Sequence, residues 1–142
     1  MVNGGKFALQ LFKNAVGFVA ALICAALFLA WGLFQGAQQG GDPVVLAVMV
    51  GTGLVTASVL GGFAMVPAFI AITVAEMFGW RSVVYHVGIG GLIALGMWTF
   101  DMNVSDAAVR PGTTIALAAG FLAGGVYWLI AGRTSGRWHS GR

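Results

Sequence analysis

Residues 44–75 read VVLAVMVGTGLVTASVLGGFAMVPAFIAITVA, a stretch of 32 residues without a single charge. A straight helix of that length would measure ~48 Å, although about 20 helical residues suffice to cross the ~30 Å hydrocarbon core of a bilayer. Gly61, Gly62 and Pro67 lie in the middle of the stretch. Because proline removes a backbone donor and clashes with the preceding turn, the sequence predicts one long transmembrane helix that is kinked near Gly61–Pro67.

Two other interpretations of this stretch are open at this point. It can form two half-spans that meet at a break, as in transporters that line a site with discontinuous helices. It can also form two complete spans, which would give the chain five. Just before the stretch, Asp42 suits a helix cap and Pro43 suits the first helical position, so we expect the helix to begin there.

Three further apolar runs complete the chain. Charged residues make up 8% of the 142 residues and apolar residues 59%, whereas ordinary soluble domains carry about 25% charged residues. So few charges cannot cover a soluble surface, and we expect an all-α integral membrane bundle of four transmembrane helices in a single domain, 1–142. The spans are expected at about 14–36, 43–75, 83–100 and 112–132, followed by a basic tail at 133–142.

Basic residues flank the spans and predict the topology. Lys6 and Lys13 precede the first span, and Arg133, Arg137 and Arg142 follow the last. Cytoplasmic segments carry an excess of Lys and Arg, so both termini are expected in the cytoplasm. An even number of spans follows, which disfavours five, and the tail arginines are expected to contact anionic lipid headgroups.

Two smaller features bear on the same topology. Residues 1–13 either lie along the interface as an amphipathic segment or extend the first span. Tryptophan and tyrosine favour membrane–water interfaces. In a four-span arrangement Trp31 and Trp98 fall near the outer interface, and the inner interface receives Trp80, Tyr85, Tyr127 and Trp128.

Small residues recur inside the spans at intervals of four. Gly120 and Gly124 form a GxxxG motif in the fourth span, and Gly53, Ala57 and Gly61 form a ridge in the second. Membrane helices have no hydrophobic drive to associate, so close backbone contact between small residues holds them together. The ridges serve either packing within the chain or an interface with a partner or a second copy, for which Gly120 and Gly124 are the first candidates.

One polar cluster lies between the second and third spans, at Glu76, Arg81, Tyr85 and His86. Ionisable groups at membrane depth are costly and are functional candidates for that reason. One hypothesis is a proton- or ion-responsive site at the cytoplasmic mouth. The alternative is an interfacial turn in which Glu76 pairs with Arg81 and His86 bonds to a neighbouring helix.

Other chemistries find little support in the sequence. The soft metal ligands are His86, His139 and Cys24, which a bundle would hold at different depths, so we expect no metal site and no cofactor. No Ser–His–Asp set falls at one depth, so we expect no catalytic residues. Without a basic stripe of interleaved aromatics, we expect no nucleic-acid partner.

Residues 67–82 (PAFIAITVAEMFGWRS), together with Val126–Arg133 (VYWLIAGR) and the Gly-Arg-Trp at 136–138, resemble small four-span inner-membrane proteins of alphaproteobacteria whose activity is uncharacterised. The resemblance covers about half the chain. It implies four spans and an inner-membrane location, and it carries over no catalytic residue. The function that the residues favour is therefore a non-enzymatic accessory or assembly subunit of a larger membrane complex. The alternative is a small oligomeric transporter or channel with a polar site at the cytoplasmic ends of helices 2 and 3.

Overall fold

The computed structural model describes residues 4–34, 42–99 and 113–136. Within these ranges the chain forms four α-helices and one 3₁₀ turn, and it forms no strand. The predicted all-α class is confirmed. The elements are α1 (Gly4–Phe34), α2 (Pro43–Phe78), α3 (Val83–Thr99), α4 (Thr113–Ile130) and the 3₁₀ turn (Gly132–Thr134).

The distribution of apolar residues is that of a membrane protein. Helices α1, α2 and α4 are long and apolar enough to cross a bilayer, and α3 is a shorter apolar helix of 17 residues. Among the described residues, every buried apolar side chain except Tyr127 is alanine, while large apolar side chains cover the outside. Soluble proteins bury those large residues instead. The chain is therefore a multi-pass membrane protein whose outer surface suits lipid.

Helix α2 is continuous from Pro43 to Phe78, with Pro67 inside it. The interpretations as two half-spans or as two complete spans are therefore wrong, and the single long helix is confirmed. The kink near Gly61–Pro67 stays a prediction. The Asp42 carboxylate accepts a hydrogen bond from the backbone N of Val44 at 2.8 Å, and Pro43 occupies the first turn, as expected.

Helix α1 begins at Gly4, about ten residues before the predicted start of the first span near residue 14. The segment that contains Lys6 and Lys13 is the first part of this helix, so residues 4–13 extend the span rather than form a separate interfacial piece. The physical reason is that Phe7-Ala-Leu-Gln-Leu-Phe12 holds no helix breaker before the apolar run.

The helices pack in the order α2–α1–α4–α3, and α2 has few contacts with α3. Small residues line the interfaces. A Cβ atom added to Gly61 would lie 2.8 Å from Leu22 Cδ1 on α1, and one added to Gly53 would lie 3.3 Å from Leu27 Cδ2. A Cβ on Gly124 would collide with the backbone oxygen of His86 on α3. Close backbone approach thus replaces the large interlocking side chains of a soluble core.

The predicted ridges are accordingly used within the chain. Gly53, Ala57 and Gly61 are buried against α1. Gly120 lies against Gly90 and Ala94 of α3, and Gly124 lies one turn further along the same interface. Because α3 of the same chain already covers the GxxxG motif, an interface with another protein needs a different surface.

Contacts between helices show which helix ends lie together at each end of the bundle. At one end the Trp98 Nε1 donates to Thr113 Oγ1 at 3.1 Å, and Gly32 lies against Ile115. At the opposite end Gly17 lies against Tyr127, and both ends of the described chain meet there. That second end carries the described basic residues, and we call it the basic end: Lys6, Lys13, Arg81 and Arg133.

Candidate functional site

The carboxylate of Glu76 lies at the basic end and is only 9% exposed. Its Oε1 accepts hydrogen bonds from Gln10 Nε2 at 2.7 Å and from Asn14 Nδ2 at 3.2 Å. Its Oε2 accepts from the backbone N of Gly136 at 2.8 Å. One side chain near the end of α2 therefore joins the first turns of α1 to the residues that follow α4.

This arrangement offsets the cost of a carboxylate at the edge of the membrane. Removing a charged group from water without partners is strongly unfavourable, and hydrogen bonds to the charged form compensate. Gln10 Nε2 also lies 3.3 Å from Asn14 Oδ1, so the two amides, one helical turn apart, are held together on one face of α1. Donors on α1 are thus preset to receive the carboxylate.

The described hydrogen bonds of Glu76 reach residues that are distant in the sequence. Its partners Gln10 and Asn14 lie more than 60 residues away in the chain. The sequence does hold a signal for this site, because Gln10 and Asn14 are uncharged polar residues one helical turn apart at the start of a long apolar run, a spacing that places both amides on one face of the helix.

The segment after α4 folds back onto the bundle. Thr134 Oγ1 lies 2.9 Å from Gln10 Oε1 and donates to it, and the 3₁₀ turn begins directly after Ala131. Gly136 has φ +74°, and a Cβ atom there would lie 2.8 Å from Gly79 Cα, so glycine is required by both conformation and space. We call the polar contacts among these residues the latch, which comprises Gln10, Asn14, Glu76, Thr134 and Gly136.

Arg81 belongs to a second set of contacts beside the latch. Its Nε donates to the backbone oxygen of Ser135 at 3.0 Å, and its own backbone oxygen accepts from Trp128 Nε1 at 2.8 Å. The guanidinium carbon of Arg133 lies 5.0 Å from the centre of the Trp128 ring, a cation–π contact. Arg81 therefore ties the α2–α3 loop to α4 and to the tail.

His86 and Tyr85 are held by the start of α3. His86 is 6% exposed, and its Nδ1 lies 2.9 Å from the backbone oxygen of Ser82. Because a carbonyl oxygen can only accept, Nδ1 carries the hydrogen in this contact. The imidazole stacks on Tyr127 with ring centres 5.6 Å apart. The described hydrogen bond of His86 thus goes to Ser82, one turn earlier in the chain, and not to a neighbouring helix. Helix α4 contributes the stacking contact of Tyr127. Tyr85 donates to Ala71 O at 3.0 Å.

Three buried polar atoms near the basic end lack a hydrogen-bond partner within the described ranges: His86 Nε2, Tyr127 Oη and Ser135 Oγ. A Cβ on Gly132 would lie 3.0 Å from His86 Nε2, so the glycine lets the end of α4 close over the imidazole. Buried polar atoms are usually paired, and these three are the most unusual feature of the site. Sequence reasoning missed Tyr127 and Ser135 as members of the cluster.

Other predicted sites are only partly described. No group of three His, Cys, Asp or Glu side chains close enough to hold a metal occurs in the described part of the chain. Cys24 is a half-buried free thiol on α1. Arg137, Arg142 and His139 lie outside the described residues. Of the tail arginines predicted at lipid headgroups, Arg133 is described, and it is exposed.

Comparison with protein-family models, with curated proteins and with solved structures finds no match to this chain. The functional argument therefore rests on the geometry of the bundle and its basic end.

Proposed function

We propose that this protein is a non-enzymatic accessory or assembly subunit that packs against a larger membrane complex through the outer face of α2. The carrying observation is that, among the described residues, α2 is covered mainly by α1, with a smaller contact near Ala71 and Ile72 from α3 and α4. Its remaining surface is apolar and uncovered over its whole length. The outer face is defined by five exposed residues at helical spacing: Val55, Val59, Phe63, Val66 and Ile70.

The length of α2 supports a protein neighbour rather than lipid alone. Its 36 residues correspond to ~54 Å of helix. At a tilt of about 40°, the upper end of the usual range, it would still span about 41 Å, against ~30 Å of hydrocarbon. Apolar residues are exposed near both of its ends, at Val44 and Leu46 and at Met77 and Phe78. A partner that covers part of this face would remove the mismatch.

A transporter is the second candidate, and one observation favours it. The unpartnered polar atoms of His86, Tyr127 and Ser135 form a set that could exchange a proton or hold water. Against it, α2 is unbroken where the transporter hypothesis requires a break, and Glu76 is closed in by the latch. Proton flux into proteoliposomes that is lost in Glu76→Gln would support transport, and equal flux would remove Glu76 from the mechanism.

We further propose that the chain resides in a bacterial inner membrane with both termini in the cytoplasm. The support is that the described basic residues gather at one end of the bundle, which the positive-inside rule assigns to the cytoplasm. Reporter fusions at the two termini should both be active in the cytoplasm. Activity on opposite sides of the membrane would contradict the proposal.

The subunit proposal is tested by site-specific photo-crosslinking in native membranes. A photoreactive residue replaces Phe63, which is 73% exposed on α2, and in the matched control it replaces Leu92, which is 64% exposed on α3. We expect a discrete protein adduct from position 63, and from positions 59 and 70, with the same protein co-purifying at a fixed ratio. Position 92 should give lipid adducts. Lipid adducts at every position would refute the proposal, and an adduct with a second copy would replace it by a homo-oligomer.

A further inference from the structure

The exposed surface at the basic end contains two arginines fixed around one tryptophan. Arg81 lies in the loop between α2 and α3, Trp128 lies in the last turn of α4, and Arg133 lies in the 3₁₀ turn. Both arginines are exposed. Since α3 begins two residues after Arg81 and α4 ends three residues before Arg133, both side chains start at the level where these helices end, which is where lipid phosphates lie.

Three contacts link Arg81, Trp128 and the segment that contains Arg133, and together they fix the positions of these residues. The Trp128 ring is oriented by its N–H bond to the backbone oxygen of Arg81, and it receives the guanidinium of Arg133 on its face at 5.0 Å. The Arg81 Nε donates to the backbone of Ser135, two residues after Arg133. The two guanidinium groups are thus neighbours, held by contacts to one another's segments rather than placed freely on the surface.

Both guanidinium groups keep hydrogen-bond donors for a ligand. Within the described part of the chain, Arg81 uses only its Nε, and Arg133 makes only the ring contact. An arginine fork matches the oxygens of a phosphate in geometry and in charge. The Glu76 carboxylate is buried and accepts hydrogen bonds from Gln10, Asn14 and the backbone N of Gly136.

We infer that Arg81, Trp128 and Arg133 form a binding site for the phosphate of an anionic phospholipid, such as phosphatidylglycerol. The phosphate lies between the two guanidinium groups, and the indole of Trp128 lies at the interface beside the acyl chains. The latch positions this site, because it holds the tail from which Arg133 projects. A phospholipid is preferred to a soluble phosphate because exposed apolar residues flank Arg81 in the chain, namely Trp80 and Val84.

The test is native mass spectrometry of the full chain released from detergent, with phosphatidylglycerol or phosphatidylcholine added. A basic residue that contacts the lipid phosphate directly contributes ~1 kcal/mol of attraction for the anionic lipid, about fivefold in affinity, and Lys6 and Lys13 lie outside the proposed site. We expect the double variant R81Q/R133Q to lose roughly 25-fold of its preference for phosphatidylglycerol. The matched control K6Q/K13Q removes the same charge from the same end and should change the preference by less than about threefold.

Two further measurements distinguish a specific phosphate-binding site from general electrostatic attraction between the basic end and anionic lipid. R81K/R133K keeps the charge and is expected to fold, but it loses the fork and most of the stacking, so its preference should fall about fivefold. Inorganic phosphate at millimolar concentration should not displace the lipid. Equal losses in R81Q/R133Q and K6Q/K13Q would overturn the proposal, as would full retention in R81K/R133K or displacement by inorganic phosphate.

Discussion

Removal of the Glu76 carboxylate should release the tail from the bundle. In Glu76→Ala the amides of Gln10 and Asn14 and the backbone N–H of Gly136 lose their shared acceptor. Polar contacts in membrane proteins average about 0.6 kcal/mol and reach about 1.7, so about 1 kcal/mol for each donor gives a loss of ~3 kcal/mol. That loss shifts the equilibrium between the docked and the released tail roughly 150-fold.

The assay is the rate at which a cysteine at position 135 reacts with a maleimide. Ser135 is 1% exposed, and its hydroxyl has no described partner, so S135C introduces the probe at little cost. The only native cysteine, Cys24, is removed by C24A. In this background Glu76→Ala should raise the labelling rate by about two orders of magnitude. Glu76→Gln keeps a carbonyl oxygen that can accept from the α1 amides, but its NH₂ group then faces the backbone N–H of Gly136, and two donors cannot bond to each other. This variant should therefore raise the labelling rate only about fivefold.

The matched control is Thr73→Ala, one turn earlier on α2. The Thr73 hydroxyl donates to Phe69 O within the same helix and is exposed, so its loss should leave the labelling rate unchanged. Helical content is measured by circular dichroism for every variant. If the labelling rate of the Glu76→Ala variant lies within twofold of the parent rate while its helical content is unchanged, Glu76 does not hold the tail and the proposed role of the latch is refuted.

Three other predictions follow from the same contacts. Gly124→Ala places a Cβ against His86 O and should lower the free energy of unfolding in mixed micelles by ~1–3 kcal/mol, whereas Gly125→Ala, whose Cβ meets nothing closer than 3.9 Å, should be neutral; equal effects would refute the α3–α4 interface. Gly136→Ala, at φ +74°, should cost ~1–2 kcal/mol and speed labelling of the reporter cysteine, and an unchanged rate would contradict the docked tail. A double-mutant cycle of Gln10→Ala with Glu76→Ala should give a coupling of about 1 kcal/mol, and strict additivity would show that the two side chains do not interact.

Helix number and approximate helix bounds were predictable because each depends on a property that is local in sequence. The run from Val44 to Ala75 has no charge, so it must be buried in lipid or protein. Asp42 and Pro43 mark its beginning by cap chemistry that needs no tertiary contact. The sequence does not determine the early start of α1, because residues 4–13 mix polar and apolar residues in a way that suits both an interfacial helix and an extension of the span.

The contacts of the polar site were harder to predict because they depend on which helices meet and at what rotation. Gly79, at φ 64°, ends α2 and turns the chain, and Arg81 Nε then reaches the backbone oxygen of Ser135, a contact that proximity in the sequence does not predict. The amides of Gln10 come to Glu76 only because α1 and α2 pack antiparallel through their small-residue ridges. Periodicity in one helix carries no information about that register.

Small-residue packing tolerates a shift of one helix along its neighbour, whereas the hydrogen bonds of Glu76 do not, and this difference explains why the latch is needed. Small-residue ridges such as Gly53–Ala57–Gly61 repeat every turn, so a slip of α2 along α1 by one turn, about 5.4 Å, preserves much of the close packing. A slip of that size would carry Glu76 away from at least one of the α1 amides and from Gly136 N, since the observed bonds are 2.7–3.2 Å long. An unpaired carboxylate at the membrane edge costs several kcal/mol. Packing therefore selects a family of registers, and the buried charge selects one of them, so the variant without the carboxylate should keep its helices while losing a unique alignment.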